Sequence, residues 1–219
     1  MLYYIKEFFR WLAIFTCLPF QFLLFKRRTF YADGVEKRPW LKGGAVVISN
    51  HYNFLDYLMM MHAVLPRKLN VIASEHAFAN PILAFGCSFF GVIKADRPSK
   101  SMKFVDEAAD IIKKGQLVEI FPEGRNTPDG KIGPFKESYI LIAYRSGAPI
   151  IPVITDGNYG FFRRASIIVG EPINVRDYIA DGYHTPPRED LRRVNEMIRN
   201  RCLELQAELE ERKKGGKAK

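Results

Sequence analysis

Apolar residues along this chain fall in short unbroken runs. Residues 45–49 (AVVIS), 69–74 (LNVIAS), 117–121 (LVEIF) and 149–154 (PIIPVI) each read as a strand buried on both faces, the signature of a parallel sheet. Residues 91–97 (GVIKADR) read as a short strand ending in a charge pair, and 166–170 (SIIVG) as a further strand at an edge of the sheet. Helical stretches separate them. One covers 57–65 and stops at Pro66; another covers 99–114, where Met102, Val105, Ala109 and Ile112 recur at helical spacing. A third opens at Pro134 and runs to about Arg145. A long charged helix from Arg188 to Lys214 carries the stripe Leu191, Val194, Ile198, Leu205 and Leu209. Residues 78–90 (FANPILAFGCSFF) are apolar and helical after Pro81, as ordinary core or as the lining of an acyl-chain groove. Strands alternating with helices predict an α/β fold with a mixed, largely parallel central sheet flanked by helices. No internal repeat and no second globular domain is visible.

The first 30 residues break this pattern. Residues 11–25 are almost wholly apolar and rich in aromatics, and Lys26, Arg27 and Arg28 follow directly. Such a run falls short of the ~20 residues that span a bilayer. Extending it towards Leu2 takes in Lys6, Glu7 and Arg10, and Pro19 is expected to kink or break the helix. A signal peptide fits poorly, because an acid lies in the leading segment and no small-residue cleavage site precedes Lys26. The segment reads as a helix in the membrane interface. Trp11, Phe15, Phe20 and Phe22 would be inserted, with Lys26, Arg27 and Arg28 on anionic headgroups; a true span is the rival. The expected division is a membrane-associating segment, 1–30, and an α/β domain, 31–219, whose residues 31–44 form a connector. The expected location is the cytoplasmic face of the cell membrane, peripheral or monotopic.

Composition narrows the partners. The hydrophobic share of 47% suits a globular domain, while a net charge of +9 calls for an anionic partner. Membrane lipids fit better than nucleic acid, because the basic residues are scattered and no nucleic-acid motif is present. Cys17, Cys87 and Cys202 are far apart, and the four histidines lie outside any metal-binding spacing, so no metal is expected.

The candidate chemistry sits where the strands end. Residues 50–56 (NHYNFLD) link the 45–49 strand to the following helix, which puts His51 and Asp56 at a strand's carboxyl end, the usual ligand side of an open α/β sheet. On a single helix these two residues would stand about 140° apart. They meet only if His51 lies on the loop and Asp56 in the first helical turn, with Asn53 as N-cap. Asp56 would then orient one imidazole nitrogen and leave the other as a base. A capping Asp beside an incidental His is the plainer alternative. Three more strand ends carry Asp96-Arg97, Glu123-Gly124-Arg125 and the Pro152 segment. Arg97 can grip phosphate with a planar fork, and Gly124 lets backbone approach a ligand. Glu123, an acceptor when ionised, can orient an arginine or receive a hydroxyl. Taken singly, these residues also read as a surface ion pair and a simple turn.

In this order the motifs resemble those of the glycerolipid acyltransferase family, which includes 1-acylglycerol-3-phosphate acyltransferases. Asn50, His51 and Asp56 match its first motif. Gly91, Ile93 and Arg97 match the second, Phe121-Pro122-Glu123-Gly124 the third, and Ile151-Pro152-Val153 the fourth. Gly133-Pro134-Phe135-Lys136 is also similar to the family. The resemblance covers roughly residues 45–155. Asn53 stands where Ser is common, Arg125 lies one position early, and Glu137 replaces a common Gly. It implies transfer of a fatty acyl group to the sn-2 hydroxyl of lysophosphatidic acid, giving phosphatidic acid for phospholipid biosynthesis. The donor would be acyl-CoA or acyl-carrier protein as co-substrate, with no cofactor and no covalent acyl-enzyme. His51 and Asp56 would be catalytic. Backbone donors near Gly124 would face the oxyanion, and Arg97 with Arg125 or Lys136 would hold the acceptor's phosphate. A different lysolipid acceptor, or a non-catalytic protein that binds anionic lipid, are the alternatives.

Overall fold

The unbroken apolar runs become the interior strands of one seven-stranded sheet. The structure is a computed structural model that describes residues 2–74, 90–95 and 102–215. Its strands are β1 (Arg28–Tyr31), β2 (Ala45–Ser49), β3 (Leu69–Ser74), β4 (Val92–Ala95), β5 (Leu117–Ile120), β6 (Ile150–Thr155) and β7 (Ser166–Val169), in the order β1-β7-β6-β2-β5-β3-β4. Five strands, β4 to β6 in that order, run parallel. β7 is antiparallel to β6, and β1 is parallel to β7. The expected mixed, largely parallel sheet is present.

The helices are α1 (Leu2–Phe25), α2 (Leu55–Ala63), α3 (Lys103–Lys113), α4 (Ser138–Ser146) and α5 (Arg188–Gly215). Side chains alternate across each strand, so neighbours on β2 enter different cores. Val46 and Ile48 pack with Val105 and Ile112 of α3, Ile140 of α4 and Val194 and Ile198 of α5. Ala45 and Val47 pack on the other face with Met59 and Met60 of α2, Trp40 and Phe25. Every residue of β2 is therefore buried, which is why its sequence shows no polar alternation.

Three expectations are corrected. β7 is not an edge strand: β1 covers it, pairing Arg28 with Ser166 through Tyr31 with Val169. The short RTFY run after two cations had read as cluster and connector. Next, α2 covers Leu55–Ala63 rather than 57–65, and its N-cap is Phe54 rather than Asn53. Asn53 instead accepts from the Leu55 N–H at 2.9 Å, so Asp56 becomes the second helical residue. Finally, of the kink or break expected at Pro19 the break does not occur: α1 runs through it to Phe25.

α1 is amphipathic in an inverted sense. Phe8, Leu12, Phe15, Phe22 and Leu23 are exposed, while Arg10 and Gln21 are buried. Arg10 donates to the Leu69 carbonyl at 2.7 Å. Among the described residues, no helix is long and apolar enough to cross a membrane.

Candidate active site

The loop after β2 is built to aim two side chains at each other. Asn50 ends the strand as a clamp. Its amide donates to the Thr155 carbonyl and accepts from the Thr155 N–H, both at 2.9 Å, which locks the carboxyl ends of β2 and β6 together. The chain then wraps around the Asp56 carboxylate. Oδ2 accepts from Tyr52 N at 2.7 Å, from Asn53 N at 2.8 Å and from His51 Nδ1 at 2.9 Å. Oδ1 accepts from the Tyr159 hydroxyl. Asp56 is fully buried, and four donors compensate a charge that would otherwise be costly there.

A carboxylate only accepts, so His51 must carry its proton on Nδ1 and its lone pair on Nε2. The ring is mostly covered, at 18% side-chain exposure. It stacks on Phe121 with centroids 4.0 Å apart and planes inclined by 17°. The His51 carbonyl accepts from Thr127 N at 2.6 Å, and it lies 3.1 Å from Thr127 Oγ1, whose single proton it shares with Glu123. Both backbone and ring are thus fixed by the loop that follows β5.

Glu123 organises that loop. It is buried, and its Oε2 accepts from Thr127 Oγ1 at 3.0 Å and Gly133 N at 3.1 Å. Oε1 is buried with no hydrogen-bond partner among the described residues. Glu123 therefore spends one oxygen on the geometry of this loop. Gly124 adopts φ 64°, a conformation that disfavours any side chain. A Cβ there would also meet Lys136 Nζ at 2.8 Å, so the Lys136 ammonium lies over Gly124. The Gly124 N–H donates to the Phe121 carbonyl at 3.0 Å. That donor is engaged in the turn, and oxyanion stabilisation has to come from its neighbours. Arg125 is exposed, with Nη2 3.7 Å from where a Gly133 Cβ would stand, beside Glu123 Oε2.

α5 braces this loop from outside. Asn195 donates to the Phe135 carbonyl at 2.9 Å, Arg199 to Gly133 at 2.8 Å and Ile132 at 3.1 Å, and Gln206 to Gly130 at 2.7 Å. The ring of Tyr52 fills the space beside Gly157 and its hydroxyl that beside Gly130, where a Cβ would approach them to 2.5 and 2.4 Å. Burial pushes the Tyr52 hydroxyl up to about 12, so it stays protonated.

The structure brings together His51, Asp56, Glu123, Gly124, Arg125 and Lys136 at the carboxyl edge of β2 and β5. Arg97 and His76 lie outside the described residues, as do residues 78–89 and the side chain of Phe20. Of the other N-terminal positions, Phe15 and Phe22 are exposed, and Trp11 is half-buried with its ring 5.9 Å from that of Phe15. Lys26 donates to the Phe161 carbonyl at 2.8 Å, Arg27 lies 3.3 Å from His62 Nδ1, and Arg28 sits over the Phe30 ring. Among the described residues no group of three or more His, Cys, Asp or Glu side chains is placed to hold a metal.

Two participants escape a reading of the sequence. Tyr159 lies 103 positions from Asp56, on the loop after β6. Its hydroxyl bridges Asp56 and Thr155 Oγ1, the latter at 3.0 Å. The signal available was topological: this loop follows another parallel strand's carboxyl end. As a positioning residue, Tyr159 is expected to act through Asp56. Tyr159→Phe should lower kcat ~10–100-fold, the worth of one hydrogen bond to a charged group, ~1.5–3 kcal/mol. The acceptor KM should change little, and steady-state kinetics in detergent read that split. An effect confined to KM would assign Tyr159 to binding instead.

Glu119 is the second. It points into the core from β5, fully buried, and Ser49 donates to its Oε1 at 3.2 Å. Burial pushes its carboxyl well upward; the Ser49 hydrogen bond opposes this, and the nearby charge of Asp56 adds to it. The group is then protonated in the fold and ionised in the unfolded chain above its ordinary value near 4.5. The unfolded state binds fewer protons there, so this group costs stability increasingly as pH rises above that value. Glu119→Gln removes the cost. Its stability relative to wild type is expected to improve from pH 5 to pH 8, as read by guanidinium unfolding at both. A difference independent of pH would contradict a protonated Glu119.

The Acyltransferase family model matches residues 28–156, more than half of the chain. A chloroplast 1-acyl-sn-glycerol-3-phosphate acyltransferase from Brassica napus is 31% identical over 127 residues, 57% of this chain and 36% of the relative. A 1-acyl-sn-glycerol-3-phosphate acyltransferase from Bacillus subtilis is 24% identical over 173 residues, covering 77% of this chain and 84% of the relative. The chain thus spans about a third of the plant relative and most of the bacterial one. The crystal structure of the 1-acyl-sn-glycerophosphate acyltransferase PlsC from Thermotoga maritima superposes with a TM-score of 0.56 at 20% identity, over 95% of this chain and 78% of that one, a likeness of fold. With the four motifs in order and the family matched across the strands that carry them, the chain belongs to the acyltransferase family, that of the glycerolipid acyltransferases.

Proposed function

We propose that the protein transfers a fatty acyl group from a thioester to the sn-2 hydroxyl of lysophosphatidic acid, making phosphatidic acid. The observation that carries this reading is the His51–Asp56 geometry. Nδ1 is tied to a buried, fully compensated carboxylate, and Nε2 holds the lone pair. Nε2 removes the proton from the acceptor hydroxyl as its oxygen attacks the thioester carbonyl. The C–S bond then breaks, and the leaving thiolate takes the proton from His51. No protein nucleophile is required, and the fatty acyl group passes directly between co-substrates. The donor is acyl-CoA or acyl-carrier protein, with no resident cofactor or metal.

Lys136 over Gly124 and the exposed Arg125 supply positive charge within reach of a phosphate or of a developing oxyanion. Arg97, outside the described residues, is assigned by the second motif alone as the fork that fixes the acceptor. The outward apolar face of α1 supports a peripheral, interfacial attachment at the cytoplasmic face of the membrane, where lysolipid and acyl chains are concentrated.

The test is a panel of lysolipid acceptors with a radiolabelled acyl donor, resolved by thin-layer chromatography. Lysophosphatidic acid is expected to give the fastest labelling, as phosphatidic acid. Faster labelling of a zwitterionic lysolipid would reassign the acceptor.

A further inference from the structure

Where α1 ends, a cavity of about 410 Å³ opens between Gln21, Phe22, Lys26, Arg27, His62 and Arg164. Three of these six residues are cations, and none is a carboxylate. Arg27 is half-buried, donating to Thr29 Oγ1 at 3.2 Å and lying 3.3 Å from His62 Nδ1. Arginine only donates, so His62 accepts on Nδ1 and carries its proton on Nε2 as a further donor. Burial and the charge of Arg27 favour this neutral form. Gln21 is 4% exposed, and its Oε1 has no hydrogen-bond partner among the described residues. Its amide, turned over, offers N–H groups instead. A half-buried guanidinium with no carboxylate beside it among the described residues is stabilised when an anion completes it.

The rim of the cavity is apolar. Phe22 is exposed and meets His62 edge-on at 5.3 Å. Lys26 holds the Phe161 carbonyl, and Arg164 Nε donates to the Lys26 carbonyl at 3.2 Å. These bonds place the loop of residues 160–165 beside the last turn of α1. Phe161 is exposed there, and Phe162 is fully so, at 102%. The two phenylalanines extend the exposed apolar stripe of α1 past the cavity's mouth.

β1 and β7 run in the opposite direction to β2, so their first residues, next to Arg27 and Arg164 of the cavity, lie at the same end of the sheet as His51, while His62 in the last turn of α2 lies further from it. The loop's own Tyr159 reaches Asp56. We propose that this cavity seats the phosphate of an anionic bilayer phospholipid, with Phe161 and Phe162 inserted beside it, holding the catalytic rim against the membrane. The inference rests on the interfacial reading of α1 and adds to it a defined headgroup site in place of diffuse attraction.

Flotation with phosphatidylcholine vesicles, with and without one-fifth phosphatidylglycerol, tests it on the full chain. Wild type is expected to bind both and to prefer the anionic vesicles. Arg164→Gln should lose ~10–100-fold of that preference, the worth of a charge-assisted hydrogen bond. Arg163→Gln, which removes the same charge next door but outside the cavity, should lose no more than the ~5-fold of one surface cation. Gln21→Leu should reduce the preference several-fold at unchanged net charge. Equal losses for Arg163→Gln and Arg164→Gln, with none for Gln21→Leu, would overturn the site and leave the interfacial reading standing. Absence of vesicle binding by wild type would sink both. A raised acceptor KM for Arg164→Gln on detergent-dispersed lysophosphatidic acid would assign the cavity to the substrate and overturn the bilayer-lipid proposal.

Discussion

Replacing His51 by alanine is expected to lower turnover about 10²–10⁴-fold, the range that a positioned general base supplies. At 1.36 kcal/mol per tenfold, that is about 2.7–5.5 kcal/mol of transition-state stabilisation. The fold should survive. The ring is partly exposed and stacked on Phe121, and the His51 backbone carbonyl keeps its bond from Thr127 N in the variant. Near-UV circular dichroism matching wild type, together with the lost rate, is the expected pair of results. A wild-type rate would remove His51 from the chemistry.

Asp56→Asn carries the second-largest expected effect, a loss of about 10²–10³-fold in kcat with the acceptor KM little changed. The asparagine oxygen can take the place of Oδ2 and keep the bonds from Tyr52 N, Asn53 N and His51 Nδ1. Its NH₂ then meets the Tyr159 hydroxyl, which can accept. The geometry is retained and only the charge is lost, so the imidazolium formed during proton transfer goes unstabilised. Kinetics on detergent-dispersed substrate measure the effect, and the near-neutral outcome would recast Asp56 as a capping residue for α2.

Much of the site was legible because its parts are contiguous. β2, the loop and the first turn of α2 span residues 45–56, and the only way for His51 and Asp56 to meet was the one observed. Length and apolar continuity likewise marked β3, β5 and β6. Elements of non-local origin were not legible. β1 is four half-buried residues following cations, and only its partner β7 makes it a strand. Tyr159 acts on a residue 103 positions earlier. Glu119 sits in a strand whose two faces are both buried, so alternation could not say which way it points. α5 read as a charged helix with one apolar stripe, a pattern that gives its polar residues no partners, yet Asn195, Arg199 and Gln206 on it brace the loop that follows the third motif. Pro19 marks the opposite limit: a strong local breaker, carried within a helix that continues to Phe25.

The central claim, direct acyl transfer with His51 as base, is tested by thiol release. Purified protein is mixed rapidly with acyl-CoA and a thiol reagent, with and without lysophosphatidic acid. The account predicts that CoA appears only when the acceptor is present, one molecule for each phosphatidic acid formed, with no initial burst. A stoichiometric burst of CoA without acceptor would mean a covalent acyl-enzyme, and no release from acyl-CoA or from acyl-carrier protein with any lysolipid would mean a protein that binds lipid without turning it over.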